Sequence, residues 1–229
     1  MELPVKLKTG ADGLDALLGG GLETKMITQF VGEAGSGKST FCLMAAVNTL
    51  RKGEGVIYID TEGFSIERFS QIAGDDTERL AANLYVFEPD TFAEQGLMIS
   101  ESEKLVKSGR AKLIVIDSAT ALYRVEQIES KDALSMLSQQ MMVLLGIAKR
   151  YDIPAVITNQ VFMDIDRHRL NGLGGTSLSH ISKAIIMVEK HEKFRRAVIV
   201  KHRSQPEGKH WDFVITAEGT ASIYLAVSR

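Results

Sequence analysis

Gly32-Glu33-Ala34-Gly35-Ser36-Gly37-Lys38-Ser39-Thr40 is the stretch on which the reading of this chain turns. The apolar segment from Met26 to Val31 precedes it as a strand, and Phe41 to Leu50 follow as a helix. This strand, glycine-rich loop and helix is the context a phosphate-binding P-loop requires. Its glycines let successive backbone N–H groups turn inward on an anion, and the helix adds the positive end of its dipole. Lys38 then reaches β- and γ-phosphates, and Ser39 offers its hydroxyl to Mg²⁺. A glycine-rich turn without a ligand needs neither the spacing nor the Lys-Ser pair, so all nine residues from Gly32 to Thr40 are candidate nucleotide contacts.

Composition sets the frame. With 229 residues, 45% of them hydrophobic, the chain suits one large α/β domain over 1–229 and is short for two. A formal charge of −2 excludes a chain-wide basic field, so any contact with nucleic acid must come from local patches. Cys42 has no partner for an internal disulfide and falls among Phe41, Leu43 and Met44, where a buried, reduced thiol is expected. Neither a secretory pattern nor an uncharged membrane-length run occurs, which predicts a soluble, cytoplasmic protein without membrane contact.

Outward from the loop, Gly55-Val56-Ile57-Tyr58-Ile59-Asp60-Thr61-Glu62-Gly63 reads as a buried strand that ends in acids. Ligands of open parallel sheets sit beyond the carboxyl ends of the strands. Asp60 and Glu62 are either solvated strand-end charges or face the same crevice as the P-loop, and in the second case Glu62 is the general base that polarises the attacking water. Lys112-Leu113-Ile114-Val115-Ile116-Asp117-Ser118 repeats the pattern as a Walker B strand. There Asp117 serves Mg²⁺ from the outer shell, together with Ser39. A third such strand ends in Thr158-Asn159-Gln160, where Gln160 is open to reading as an ordinary strand-end amide.

Helices are expected at Asp75–Asn83, at Thr91–Ser108 and through the core-facing Leu134, Leu137, Met141, Leu144, Leu145 and Ala148. Asp12 is placed as cap of one helical turn carrying Leu14, Leu17 and Leu18, which Gly19 to Gly21 end, a clasp over one sheet edge. Near the C-terminus the apolar runs Ala184–Val188, Ala197–Val200 and Phe213–Ile215 predict an antiparallel extension of the sheet. The basic excess there, which includes Lys190, Lys193, Arg195, Arg196, Lys201, Arg203 and Lys209, is either a solvated face or a phosphate-binding one.

The opening Thr9–Leu22 leading into the P-loop, Asp60-Thr61-Glu62-Gly63, the strand ending at Asp117 and Thr158-Asn159-Gln160 together resemble the RecA-type ATPase cores of recombinases and clock ATPases. The resemblance covers almost the whole chain and is strongest to the short archaeal paralogues of the RadA recombinase. It implies a RecA-like α/β fold, a mostly parallel twisted sheet with flanking helices, that uses ATP and Mg²⁺. It makes Glu62 the catalytic glutamate and puts Arg68 near the adenine. It also makes Gln160 a sensor of the γ-phosphate that repositions a second DNA-binding loop.

By the same resemblance, Ala119–Glu129 corresponds to the first DNA-binding loop and keeps the aromatic-Arg-x-Glu start as Tyr123-Arg124-Val125-Glu126. The Gly-Arg-Gly run that recombinases carry next is replaced by Glu129, Ser130, Lys131 and Asp132. The second loop, Val161–Gly175, sets Arg167 and Arg169 against Asp164 and Asp166. Arg124, Arg167 and Arg169 are the candidate DNA contacts, with weak binding expected. Lys201-His202-Arg203 matches a strand end whose Lys201 and Arg203 reach the ATP of a neighbouring subunit, a role that requires a homo-oligomer.

Two departures shape the expectation. The chain opens at the ATPase core, without the helical DNA-binding domain and the Phe-x-x-Ala linker that precede it in RadA. The resemblance therefore implies a nucleoid-associated accessory factor of homologous recombination and DNA repair. Such a factor binds ATP and single-stranded or branched DNA, hydrolyses ATP very weakly, performs no strand exchange, and contacts a RadA-type recombinase or a junction resolvase. The alternatives are a DNA-stimulated recombinase ATPase, which the weakly basic loops disfavour, and a clock-type phosphotransferase, which lacks its second ATPase domain here.

Overall fold

The computed structural model describes residues 5–164 and 169–223. The chain opens with β1 (Lys6–Leu7), α1 (Asp12–Leu17) and β2 (Leu22–Glu23), followed by β3 (Ile27–Gly32), α2 (Lys38–Arg51) and β4 (Val56–Asp60). Next come α3 (Ile66–Ala73), a 3-10 turn at Gly74–Asp76, α4 (Thr77–Ala81), β5 (Leu84–Phe87), α5 (Phe92–Lys107) and β6 (Leu113–Asp117). α6 (Ala121–Glu129), α7 (Ala133–Arg150), β7 (Ala155–Asp164), β8 (Arg169–Gly172) and α8 (Gly175–Ile181) lead to β9 (Ala184–Lys190), β10 (Arg195–Lys201), β11 (His210–Thr216) and β12 (Gly219–Ser222).

One sheet runs in the order β12-β11-β10-β9-β3-β7-β6-β4-β5, with β8 paired to β7 outside that path. Every pairing from β9 across to β5 is parallel, and those from β9 back to β12 are antiparallel. The parallel strands are apolar on both faces because helices cover both. On β4 and β6 the alternation is strict. Val56, Tyr58, Leu113 and Val115 join the core under α2, while Ile57, Ile59, Ile114 and Ile116 join the core under α5 and α7. Both cores leave the carboxyl ends of β3, β4, β6 and β7 on one rim, which is what positions the site.

Local signals account for most element ends. Thr91 and Glu94 form a capping box at the start of α5, and Ser65 caps α3 through the Arg68 N–H. At α1 the N-cap is Ala11 and not Asp12, which lies in the first turn; Asp15 instead accepts from the Thr9 backbone N–H and hydroxyl at 2.8 and 2.9 Å. Gly19, Gly20 and Gly21 all take positive φ, so the three glycines do end that helix. The clasp is real: Gly13 leaves no space for a β-carbon against Trp211 of β11.

Three stretches read as loops or left unassigned carry helix or strand among their described residues. Ala121–Glu129 is a helix, and the end of β7 pairs antiparallel with β8, Val161 opposite Gly172 and Asp164 opposite Arg169. β12 was not foreseen, since its Gly-Thr-Ala-Ser run carries little apolar pattern and is formed by pairing with β11. Among the described residues no helix is long and apolar enough to cross a membrane.

Candidate nucleotide-binding site

β3 ends at Gly32, and the loop that follows is built by glycine conformations. Gly35 and Gly37 have φ of 71° and 110°, a region costly for other residues. Gly37 is also the N-cap of α2, with no side chain to cap it, so the backbone N–H groups of the first turn are free for an anion. At Gly32 the constraint is close approach: a β-carbon there would fall 2.3 Å from the Val188 carbonyl oxygen of β9 and 2.9 Å from Ser36 Oγ.

Lys38 lies in the first turn of α2, only 9% exposed, and its Nζ donates to the carbonyls of Gly32 and Glu33 at 2.9 and 2.8 Å. Burial pushes its ammonium below the ordinary lysine range, while Asp117 and Glu62 oppose that shift. Ser36 Oγ is buried and has no hydrogen-bond partner among the described residues. A buried donor cation, an orphaned hydroxyl and a turn of exposed N–H groups together fit a polyphosphate.

The acidic side of the site is held by neighbours. Asp117 accepts from the Tyr58 hydroxyl at 2.8 Å and from the Thr158 hydroxyl at 2.5 Å, so both carboxylate oxygens are fixed before any ion is considered. Burial, and then the charge of Asp117, push the Tyr58 phenol well above its usual pKa. Ser39, Tyr58, Asp60, Glu62 and Asp117 line one cleft of about 250 Å³. Among the described residues no group of three or more His, Cys, Asp or Glu forms a metal cage. Mg²⁺ suits such a place, because it keeps its waters and takes few protein ligands besides phosphate.

Asp60 has a different task from Glu62. Burial raises its pKa, and its Oδ1 accepts the backbone N–H groups of Glu62 and Gly63 at 2.9 and 2.6 Å, which fixes the turn after β4. Glu62 itself is exposed at the rim, and its Oε1 receives the Gln160 amide at 2.6 Å and the Ser118 hydroxyl at 3.2 Å. Ser118 is tied in turn to Thr61, whose hydroxyl accepts its N–H at 2.9 Å and donates to its carbonyl at 3.0 Å. Gln160 leads into the hairpin, where its carbonyl accepts the Leu173 N–H at 3.0 Å.

These groups have the arrangement expected of a P-loop core, and comparison with known proteins narrows the reading. The Rad51 family model matches residues 2–222. The chain is 57% identical over 220 residues to the DNA repair and recombination protein RadB of Methanoculleus marisnigri, covering 95% of this chain and 98% of that one. The RadB of Archaeoglobus fulgidus is 44% identical over 216 residues, covering 93% and 96%. The chain belongs to the RadB branch of the Rad51 family. A solved structure described as that of the RadB recombinase superposes with a TM-score of 0.84 at 38% identity, covering 95% of this chain and all of that one, which makes the fold RecA-like.

The other candidates in this RadB-family chain have different surroundings. Arg68 donates to the carbonyls of Ala217 and Gly219, in the β11–β12 turn, at 2.9 and 3.2 Å, and to Gln71 at 2.8 Å. Its guanidinium thus latches the C-terminal hairpin beside α3. Arg124 is exposed on α6 and lines an open cleft of about 730 Å³ with Tyr123, Gln127 and Gln160. Arg167 lies outside the described residues, and the backbone of Arg169 opens β8.

Lys201 and Arg203 are engaged within their own chain. Lys201 Nζ caps the end of α8 through the carbonyls of Ser179 and Ser182 at 2.6 and 2.9 Å. Arg203 meets Met26 Sδ at 3.0 Å and Glu23 at 3.8 Å. Both stand at the end of β10 away from this chain's P-loop, because β10 runs antiparallel to β9, whose carboxyl end lies beside the loop. Tyr58, Thr158 and Ser118 were not singled out from sequence. The signal for Tyr58 was there, since a phenol in a buried aliphatic strand needs a polar partner.

Proposed function

We propose that this protein is an ATP-binding accessory factor of homologous recombination and DNA repair in which the nucleotide acts chiefly as a conformational ligand. The observation that carries the proposal is the 2.6 Å bond from the Gln160 amide to Glu62. It joins the residue suited to polarise water to the residue that leads into the β7–β8 hairpin. Gly32 to Thr40 hold the phosphates, with Lys38 at the β- and γ-oxygens and Ser39 and Asp117 serving Mg²⁺. Bound Mg²⁺ neutralises charge on those oxygens.

A γ-phosphate offers the Gln160 amide a competing anionic acceptor. Glu62 and the hairpin then respond to the same event, which is how an order or position change at a switch loop is coupled to nucleotide state. DNA, single-stranded or branched, is the ligand whose affinity changes, with Arg124, Arg167 and Arg169 as its contacts. Arg68 serves the adenine side. The relatives named as DNA repair and recombination proteins support this reading. A RadA-type recombinase or a junction resolvase is the expected partner. Hydrolysis is slow and strand exchange absent. Lys201 and Arg203 would have to leave their carbonyl and sulfur partners to act across a subunit boundary.

Steady-state ATP hydrolysis with and without single-stranded DNA, over a wide range of protein concentration, tests the proposal. Slow turnover insensitive to both is the expected result. Strong stimulation by DNA that rises with protein concentration would identify an assembling recombinase instead.

A further inference from the structure

We infer that Arg195 is a phosphate-binding residue of this chain's own nucleotide site, a guanidinium that braces the apex of the P-loop and pairs with the polyphosphate held inside it. The inference rests on the nucleotide-binding reading above. Two adjacent arginines open β10, and the antiparallel register separates them: Arg195 lies opposite Phe213 and Arg196 opposite Asp212. Directly opposed residues share a face of the sheet. Phe213 is buried with its ring 4.9 Å from Phe41 of α2, so Arg195 shares the face that carries α2 and the loop before it.

Arg196 is accounted for on the other face. Its Nε and Nη2 donate to the two carboxylate oxygens of Asp212 at 2.6 and 2.9 Å, and its guanidinium lies over Phe194. Arg195 has no such partner, and among the described residues no carboxylate lies within ion-pair distance of it. Instead its Nε and Nη2 both donate to the Gly35 carbonyl oxygen at 3.3 Å. Its Cδ lies 3.7 Å from where a β-carbon on Gly37 would stand.

The side chain therefore spans the arc from Gly37 to Gly35 that encloses a bound phosphate. Its two bonds go to one neutral oxygen at the long end of the hydrogen-bond range, while a guanidinium carries five N–H donors in a fork matched to phosphate. The cradle of a P-loop holds the α- and β-phosphates, so a diphosphate suffices to engage Arg195.

Calorimetric titration of ADP and ATP with Mg²⁺ into wild type, Arg195→Lys, Arg195→Gln and Arg195→Ala tests this. Gln and Ala should weaken both nucleotides roughly tenfold, the loss of one charge-assisted bond. Lys should recover part of the loss, and added salt should shrink the gap between wild type and Gln. Glutamine can still donate to the Gly35 carbonyl, so an Arg195→Gln protein that binds like wild type would overturn the phosphate contact and leave only a brace. Melting curves identify any variant whose loss is one of folding, and Arg195→Lys then carries the comparison. A wild type that binds neither nucleotide would overturn the nucleotide reading itself, whereas wild-type binding with indistinguishable variants would overturn this inference alone.

Discussion

The Gln160 amide and the Glu62 carboxylate meet across 2.6 Å although 98 residues separate them in the chain. Their strands are not neighbours: β6 runs between β4 and β7, and its last residues supply Asp117 and, just beyond, Ser118. The contact therefore closes over the end of β6 and makes one polar unit of three strand ends. Thr120 extends it, donating to Asn159 Oδ1 at 2.9 Å, while Asn159 Nδ2 holds the Leu173 carbonyl at 2.9 Å. A change at Glu62 thus has a continuous hydrogen-bonded route to the hairpin and to the start of α8.

If Gln160 carries nucleotide state to the DNA-facing rim, Gln160→Ala should erase the difference in DNA affinity measured with and without a non-hydrolysable ATP analogue. Nucleotide affinity itself should change little. Glu62→Gln, by contrast, should lower single-turnover hydrolysis by roughly 10²-fold, the lower end of what a general base contributes. Full nucleotide dependence in Gln160→Ala would sink the coupling.

Lys38 should make the proposed nucleotide binding pH-dependent. Its folded pKa is lowered from 10.5 by burial, so at alkaline pH the free folded protein loses this proton before the unfolded chain does. The folded state then holds fewer protons than the unfolded one, and this group's penalty on stability is relieved as pH rises through the folded value. A bound phosphate would raise that pKa again, so ADP binding should take up protons and weaken across the same window. Calorimetry in buffers of different ionisation enthalpy reads the uptake directly. Lys38→Arg keeps its charge at all accessible pH and should show no uptake; equal uptake in both proteins would place the proton elsewhere.

Much of this was legible in the sequence because it is local. The P-loop, the acid-terminated strands and the 3.6-residue pattern of α7 are each encoded within a short window. What stayed hidden depends on pairing. Arg195 and Arg196 look alike in sequence, and only the register against Phe213 and Asp212 sends one to the P-loop and the other to an ion pair. Lys201 and Arg203 matched a pattern for contacts between subunits, yet in the folded chain the C-terminus of α8 and the Met26 sulfur are their partners. The resemblance puts Ala119–Glu129 in a loop, but Tyr123 is buried against Phe92 of α5, ring to ring at 6.0 Å, in a segment that is helical from Ala121 to Glu129.

Two glycines of the P-loop should respond differently to the same substitution. Gly32→Ala drives a β-carbon into the backbone of β9, 2.3 Å from the Val188 oxygen, and overpacking of this kind costs about 1–3 kcal/mol. Gly35→Ala meets nothing within 4 Å among the described residues but must hold a φ of 71°, at about 1–2 kcal/mol. Urea unfolding should show both losses. Only Gly32→Ala should also displace Ser36 and Lys38 enough to remove ADP binding, and retention of wild-type affinity in that variant would refute the close-approach argument.

Tyr58→Phe isolates the support of Asp117. The phenol is buried and donates to Asp117 Oδ2 at 2.8 Å, leaving the Thr158 hydroxyl as the donor to the other oxygen. Removing it strips one side of a carboxylate that is 8% exposed, which should cost about 1–3 kcal/mol at neutral pH. Because the folded pKa of Tyr58 lies well above the ordinary 10.0, the unfolded chain ionises first as pH rises. The folded state then binds more protons than the unfolded one, so the stability this tyrosine contributes is present below the ordinary value and is lost progressively above it. The gap in urea midpoint between wild type and Tyr58→Phe should therefore narrow in alkaline buffer, the other tyrosines being common to both proteins. A gap that is constant with pH would mean that the hydroxyl contributes nothing through its proton. The Mg²⁺ dependence of ATP affinity should also shift in Tyr58→Phe, since the carboxylate oriented by that hydroxyl is the one proposed to hold the ion's water.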